Sequence, residues 1–568
     1  MAQKERWASR LGLVLAMAGN AVGLGNFLRF PAQAAKNGGG AFLIPYIVAL
    51  LVLGLPLIWV EWTMGRYGGQ HGHHCTPGVF QSMGRSRIWK YFGAIGLWSC
   101  LMVASYYLYI ETWCAAYAGW SLIGGFSGAT TESVRGFFST LTGEHENQIL
   151  AVSGWGMVLF ALCIALNIWI LSRGLAKGIE LVAKVGMPLL ILFACILAVR
   201  GLFINPETDP KAVESALVGL NFVWEPKFDR LSNPSTWLAA AGQIFFTLSI
   251  GMGSIHCYSS YLRETDDVAL TGATTAWTNE FCEVILGGTI LLPIATAYLG
   301  LQAVQALTAG GSGFGLGFMV FPTLFAKWGW LAPAAGFMWF GLLFFAAITS
   351  SLAMGQPIMA FLQDEFGFNR RRSALAFGAI LLVPALPVAL FHENSFNGDF
   401  DYWAGTFMLV VFALAETILF AWVFGMKRGW EEINNGAELA VPKLFYYVIK
   451  YVTPAFLIVI LTGYVFQPKA GWDGHAKALL SGQPQPAWDW SGDGMIGKLM
   501  NKDLTVPEGA TADQIRFNDQ LKVTRTLARL LMVGIYAFFA VLIFRAWRRG
   551  DPRHLVTMDH APPRSVSA

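Results

Sequence analysis

Residues 41–60, AFLIPYIVALLVLGLPLIWV, hold no Asp, Glu, Lys or Arg, and neither do residues 91–110 or 151–172. A run of about 20 apolar residues is what a helix needs to cross the hydrocarbon of a bilayer. In lipid a backbone satisfies its own polar groups only as a helix or a closed barrel. Similar runs lie near 178–199, 284–302, 329–363, 373–391, 402–426, 446–467 and 526–546. Two further segments, 10–35 and 235–262, are apolar but interrupted, and they bring the expected count of crossings to twelve. Composition agrees: 13% of the 568 residues are charged, against about 25% in soluble domains. The chain reads as an all-α polytopic membrane protein.

Basic residues give it an orientation. Lys4, Arg6 and Arg10 precede the first segment, and Arg66, Arg85, Arg87 and Lys90 lie between the second and third. Arg173, Lys177 and Lys184 follow the fourth, Arg370, Arg371 and Arg372 the eighth, and Arg545, Arg548 and Arg549 the twelfth. With twelve crossings these all share one side, and the excess of Lys and Arg on cytoplasmic loops places both termini in the cytoplasm of a cell inner (plasma) membrane. No short apolar core with a small-residue cleavage site opens the chain, so no signal peptide is expected. The net charge of +4 is too small to suggest nucleic acid. The seven cysteines fall mostly in apolar segments without CxxC and read as packing residues. His71, His73, His74 and Cys75 lie in one short loop with no second ligand cluster, and are not read as a metal site.

The interruptions carry the function. Residues 19–30, GNAVGLGNFLRF, put three glycines, two asparagines and an arginine inside an apolar segment. Residues 242–261, GQIFFTLSIGMGSIHCYSSY, do the same with Thr247, Ser249, Gly251 and Gly253. Glycine weakens a helix by roughly 1 kcal/mol relative to alanine, and Gly19–Gly23 alone would also fit close helix packing. Two breaks at corresponding places, one opening each set of five segments, are the pointer to an inverted-repeat transporter with its site at the midplane. Unwound carbonyls there can coordinate a cation, and freed amides at half-helix N-termini can hold a carboxylate.

The run WASRLGLVLAMAGNAVGLGNFLRFPAQAAKNGGGAFLIPY (7–46) resembles the neurotransmitter:sodium symporter family, in its bacterial leucine-transporter branch. The likeness continues through EWTMGRYGG (61–69), SYYLYIETW (105–113), GQIFFTLSIGMG (242–253), NEFCEVILGG (279–288), AITSSLAMGQP (347–357) and DYWAGT (401–406). The resemblance implies twelve transmembrane helices in a five-plus-five inverted repeat, the first and sixth unwound mid-membrane. The implied layout is a gate segment at 1–9, the first repeat at 10–202, the second at 235–427, an eleventh helix at 440–467, an extracellular loop at 468–522, a twelfth helix at 523–547 and a tail at 548–568. The loop is expected to be partly ordered and the tail after Arg549 disordered.

Carried over residue by residue, the resemblance implies two sodium ions as coupling ions and no other cofactor. The first would use Ala21, Asn26, Thr247 and Asn279; the second Gly19, Val22, Ala346, Thr349 and Ser350. Such neutral all-oxygen sets suit a monovalent hard cation better than a divalent one. An amino-acid substrate would meet Ala21, Gly23, Leu24, Gly25, Val103, Tyr107, Phe246, Thr247, Ser249, Met252, Ser350 and Met354. Glycine at 23, where monoamine carriers have aspartate, implies a ligand with its own carboxylate. The absence of charge at the side-chain end implies a neutral, mainly hydrophobic L-amino acid, and the flexible Met252 and Met354 extend this to aromatic ones. Arg29 and Asp401 would close the outer side. On the inner side Asp364 would meet Lys4 or Arg6, supported by Ser260 and Tyr261. Glu283, near Tyr46, Gln243 and Thr247, would supply the charge that chloride supplies in animal relatives, making transport chloride-independent. Glu61, Glu111, Glu280 and Glu416 are read as structural acids. The function expected is sodium-coupled symport by alternating access, within a lipid bilayer; a proton-coupled carrier and a non-translocating sensor are the alternatives. A membrane enzyme is not expected, because no nucleophile–base pair or metal cluster is visible. A homodimer is left open.

Overall fold

The computed structural model describes residues 5–228, 231–310, 313–506 and 509–555. Its crossings are α1 (Arg10–Ala21, continued by Leu24–Phe27 and Arg29–Lys36), α2 (Gly40–Gln70), α3 (Trp89–Leu122), α4 (Gly154–Ser172) and α5 (Leu175–Leu202). A second series follows: α6 (Pro234–Thr247, continued by Ser254–Ser259), α7 (Val268–Leu299), α8 (Gly329–Phe366), α9 (Arg370–Leu390) and α10 (Phe396–Asn434). Then come α11 (Leu444–Val465) and α12 (Ala512–Trp547). Ten of these are unbroken, long and apolar enough to span a membrane among the described residues. α1 and α6 are the two interrupted ones, and each is the first crossing of a set of five.

Local chemistry sets the ends. Ser9 caps α1 by accepting the Gly12 amide at 3.0 Å, Asn369 caps α9 through the Arg372 amide at 3.0 Å, and Thr511 and Gln514 form a reciprocal box at the start of α12. α3 packs along α8, and α1 lies against α5, α7 and α8, so the interrupted helix is held inside the bundle. Phe281–Gly287 of α7 is wound as a π-helix. This wider turn brings Gly287 against α1, where a Cβ would lie 2.2 Å from the Asn26 carbonyl oxygen.

Two expectations change, the start of α12 and the tail. α12 begins at Ala512, so residues 512–522 are helix and not loop. The polar first turns are stabilised by Arg525 to Asp503 at 2.7 Å and by Arg529 to Asp399 at 2.6 Å. The loop before it contains helices Gly471–Ser481 and Met495–Leu499. The tail is ordered as far as it is described: Pro552–Leu555 form a helical turn, Arg553 donates to the Asp364 and Gly72 carbonyls at 2.7 and 3.1 Å, and His554 meets Glu365 at 2.8 Å. The end of the tail lies outside the described residues.

Candidate functional site

α1 leaves helical geometry after Ala21. Val22 takes φ −70°, ψ 95° and Gly23 φ −118°, ψ −168°, before Leu24–Phe27 resumes the helix. The amides freed by the break find side chains: Gly23 N–H donates to Asn26 Oδ1 and Leu24 N–H to the Tyr107 hydroxyl, both at 2.8 Å. α6 breaks between Thr247 and Ser254, with Ser249, Gly251 and Gly253 at φ 53°, 74° and 96°. Ser249 is not a glycine, and that left-handed conformation costs it about 1–2 kcal/mol. Its hydroxyl offsets part of this by donating to the Asn20 carbonyl at 2.9 Å, tying the two breaks together.

The residues expected for the first ion converge. Asn26 Nδ2 donates to Asn279 Oδ1 at 2.8 Å, and Asn279 Nδ2 donates to the Thr247 hydroxyl at 2.9 Å. Asn279 Oδ1 also lies 3.3 Å from the Ala21 carbonyl oxygen and 3.2 Å from that of Thr247. Turned by half a rotation, the amide would donate to both carbonyls. In either orientation the Asn279 amide meets the Ala21 and Thr247 carbonyls and the Thr247 hydroxyl at one point.

At the second expected site, Ser350 Oγ donates to the Gly19 and Ala346 carbonyls at 3.2 and 3.0 Å. A Cβ on Gly19 would lie 2.9 Å from Thr349 Cβ, so these two residues touch. Val22 stands at the break itself, its amide on the Ala18 carbonyl at 2.6 Å. Around the substrate position, a Cβ on Gly23 would lie 2.4 Å from the Tyr107 hydroxyl oxygen, and one on Gly25 the same distance from the Phe246 ring. Val103, Met252 and Met354 are buried in the same core.

The gates differ from expectation. Arg29 does not pair with Asp401: its guanidinium lies 4.3 Å above the Phe246 ring, while Asp401 accepts from the Tyr106 hydroxyl at 2.9 Å. The cation stacks on the lid residue instead of spanning to α10. At the opposite end, Lys4 lies outside the described residues, and Arg6 does not reach Asp364. Asp364 accepts the His74 amide at 2.8 Å. The ion pair that forms has the charges exchanged, Glu5 of the N-terminal segment with Arg370 of α9 at 2.6 Å. Trp7 donates its indole N–H to the Tyr258 carbonyl at 3.0 Å. Ser260 and Tyr261 do belong here: Ser260 Oγ meets His74 Nδ1 at 2.9 Å, and Gln356 donates to the Tyr261 hydroxyl at 2.9 Å. The loop histidines thus serve this closure. Burial pushes the His73 ring down to about 3, leaving it neutral beside the Arg553 carbonyl.

Among the membrane acids, Glu283 lies near Gln243 and Tyr46 as expected: Gln243 donates to it at 2.8 Å, while the Tyr46 hydroxyl beside it donates to the neighbouring Glu280 at 2.7 Å. Glu111 is a satisfied structural acid, bonded by Asn167 and Ser351 at 2.9 and 2.8 Å. Glu61 and Glu416 are not so placed, because both face His256. Sequence reasoning passed over His256 and Glu5 and gave Arg370 and His74 no part in the closure; His256 has a signal in hindsight, an ionisable residue within an apolar segment.

With this geometry in hand, comparison with known proteins is decisive. The model of the sodium:neurotransmitter symporter family matches residues 4–133 and 125–475. The chain belongs to that family. An uncharacterized sodium-dependent transporter of Methanocaldococcus jannaschii is 30% identical over 473 residues, covering 82% of this chain and 90% of that one. A human sodium-dependent neutral amino acid transporter is 25% identical over 562 residues, covering 82% and 73%. The crystal structure of MhsT in complex with L-phenylalanine superposes with a TM-score of 0.68 at 27% identity, covering 81% of this chain and 99% of MhsT. This symporter is therefore a multi-pass sodium-dependent transporter, not an enzyme.

Proposed function

We propose that the protein carries neutral, mainly apolar L-amino acids, aromatic ones included, inward with sodium and without chloride. The observation that carries this reading is the meeting of two interrupted helices whose carbonyls and amides face one another across Asn26, Thr247 and Asn279. Gly23 has no room for a side chain beside Tyr107, which favours a ligand that brings its own carboxylate to the first ion. A zwitterionic amino acid brings it, its carboxylate directed at the Leu24 and Gly25 amides and the Tyr107 hydroxyl. The relatives support the class: one is named for neutral amino acids and another holds L-phenylalanine. Two sodium ions, one at each oxygen cluster, would make the ligand and the ions reciprocal helpers, each raising the other's affinity. Glu283, with one oxygen lacking a hydrogen-bond partner, supplies the fixed negative charge that removes the need for chloride. The basic loops support a reading with both termini in the cytoplasm.

Proteoliposome uptake tests this. Uptake of leucine-sized and aromatic amino acids is expected to need an inward sodium gradient and to persist in gluconate. Asn279→Ala and Thr349→Ala should each raise the sodium concentration for half-maximal uptake about tenfold. Equal uptake in potassium, or sodium dependence unchanged in both variants, would overturn the assignment.

A further inference from the structure

Glu61 of α2, His256 of α6 and Glu416 of α10 are fully buried, and their ligand atoms all lie within 4.8 Å of one another. The imidazole sits between the carboxyls: Nδ1 is 3.4 Å from Glu61 Oε2, and Nε2 is 3.5 Å from Glu416 Oε2. Glu61 Oε2, both ring nitrogens and both Glu416 oxygens lack a hydrogen-bond partner in the protein. The other Glu61 oxygen accepts the Gly251 amide, at 2.6 Å, in the unwound stretch of α6.

We propose that Glu61, His256 and Glu416 form a buried proton-binding site, distinct from the ion and substrate site and coupled to it through the Gly251 amide. Two ionised carboxyls beside a neutral imidazole would bury two negative charges in a medium of low dielectric. Among the described residues, no basic side chain of the packed elements neutralises them. On α2, Arg66 bonds the carbonyls of Asp266, Asn435 and Glu432 and lies 3.9 Å from the Glu432 carboxyl. On α8, Asp364 is bound by the His74 amide and Glu365 by His554. On α3, the Cys100 thiol donates to the Met252 carbonyl at 3.2 Å. Residues Thr76–Met83 bring no titratable group, only the Phe80 ring 5.9 Å from the imidazole, matched by Phe412 at 5.9 Å. Neutrality therefore requires protons. An imidazolium donating to both carboxylates takes one, and a carboxyl takes the second.

One turn beyond His256, Ser260 and Tyr261 line a cavity of about 900 Å³ together with Arg6, His74 and Asp364. An ionised Glu61 is the stronger acceptor for the Gly251 N–H, so the site holding only the imidazolium proton keeps the α6 loop as seen here. Protons entering from that cavity loosen it.

The test has two arms, and only the second rests on the amino-acid reading. In the first, infrared difference spectra of the purified full-length protein, without substrate, are recorded between about pH 8 and about pH 5. A protonated-carboxyl band is expected that disappears in Glu416→Gln and shifts in His256→Gln. Spectra identical in the wild type and both variants would overturn the site, as would one equivalent of tightly held divalent metal by elemental analysis. In the second arm, sodium-dependent amino-acid binding should weaken at least about threefold from about pH 8 to about pH 6, and be flat in His256→Gln with binding retained at the higher pH. Equal pH dependence in His256→Gln overturns the coupling. If the band behaves as expected and no amino acid binds, the transport reading fails while the proton site stands.

Discussion

At the scale of single residues, the site is made by what glycine permits. Gly251 takes φ 74°, and a Cβ there would lie 2.4 Å from the Leu409 carbonyl oxygen of α10. Neither problem can be relieved by a rotamer, because one is the residue's own backbone and the other is a neighbour's. Gly251→Ala is therefore expected to cost at least about 1–2 kcal/mol and to lower sodium-dependent binding about tenfold or more. Gly154→Ala, at a position with open space around it, should change neither the thermal midpoint nor the binding. Both are read by a thermal melt and a binding isotherm on detergent-purified protein. Gly251 and Gly253 were visible in the sequence because SIGMG punctuation (249–253) has no place in a lipid-facing helix. His256 was not visible as a partner of Glu61 and Glu416, because three residues so far apart in sequence meet only once α2, α6 and α10 pack.

At the scale of elements, the breaks in α1 and α6 were legible from composition and spacing, and the grouping of Asn26, Thr247 and Asn279 from the family resemblance. The closures were not. A charge pair across two segments depends on side-chain reach, and sequence order does not say which acid meets which base. The N-terminal segment offers both signs, Glu5 and Arg6, and the structure uses Glu5 with Arg370, which also donates to the Leu171 carbonyl and to Gln356 at 2.7 and 2.8 Å. Arg370→Glu is expected to free the N-terminal segment and raise the reactivity of a cysteine placed at Ser260 toward a membrane-impermeant thiol reagent added on the side of the termini. The double exchange Glu5→Arg with Arg370→Glu should restore protection in part, since the exchanged pair recovers the charge contact but not the two further bonds of Arg370. No recovery in the double variant would show that the further bonds of Arg370, not its charge contact with Glu5, hold the segment. The early start of α12 escaped the sequence reading for a related reason: its first turns are polar and charged, and only Asp399 and Asp503 make Arg529 and Arg525 helical anchors.

At the scale of the whole molecule, the two five-helix sets are also sewn together at the end away from the termini. His392 N–H donates to the Ile149 carbonyl and Ala151 N–H to the Leu390 carbonyl, both at 2.9 Å, and Glu393 N–H donates to Glu144 at 2.7 Å. Glu144 thereby sits in a seam between the loop after α3 and the turn between α9 and α10, outside the spanning segments. Burial, and next the charge of Glu393, push its carboxyl up from 4.5 to about 7, and burial raises Glu393 as well. The folded seam binds the Glu144 proton more tightly than the unfolded chain does. Its contribution is complete below pH 4.5 and is lost as the pH climbs through 7. The thermal midpoint of the purified protein is expected to fall across that window. Glu144→Gln, which keeps an acceptor for the Glu393 amide but carries no proton to lose, should flatten the fall and leave the variant more stable than the wild type above pH 7. A wild-type midpoint that instead rises over the same interval would mean that the seam holds the carboxylate, not the acid, and that the two halves are joined there by a charge the neighbouring Glu393 does not oppose.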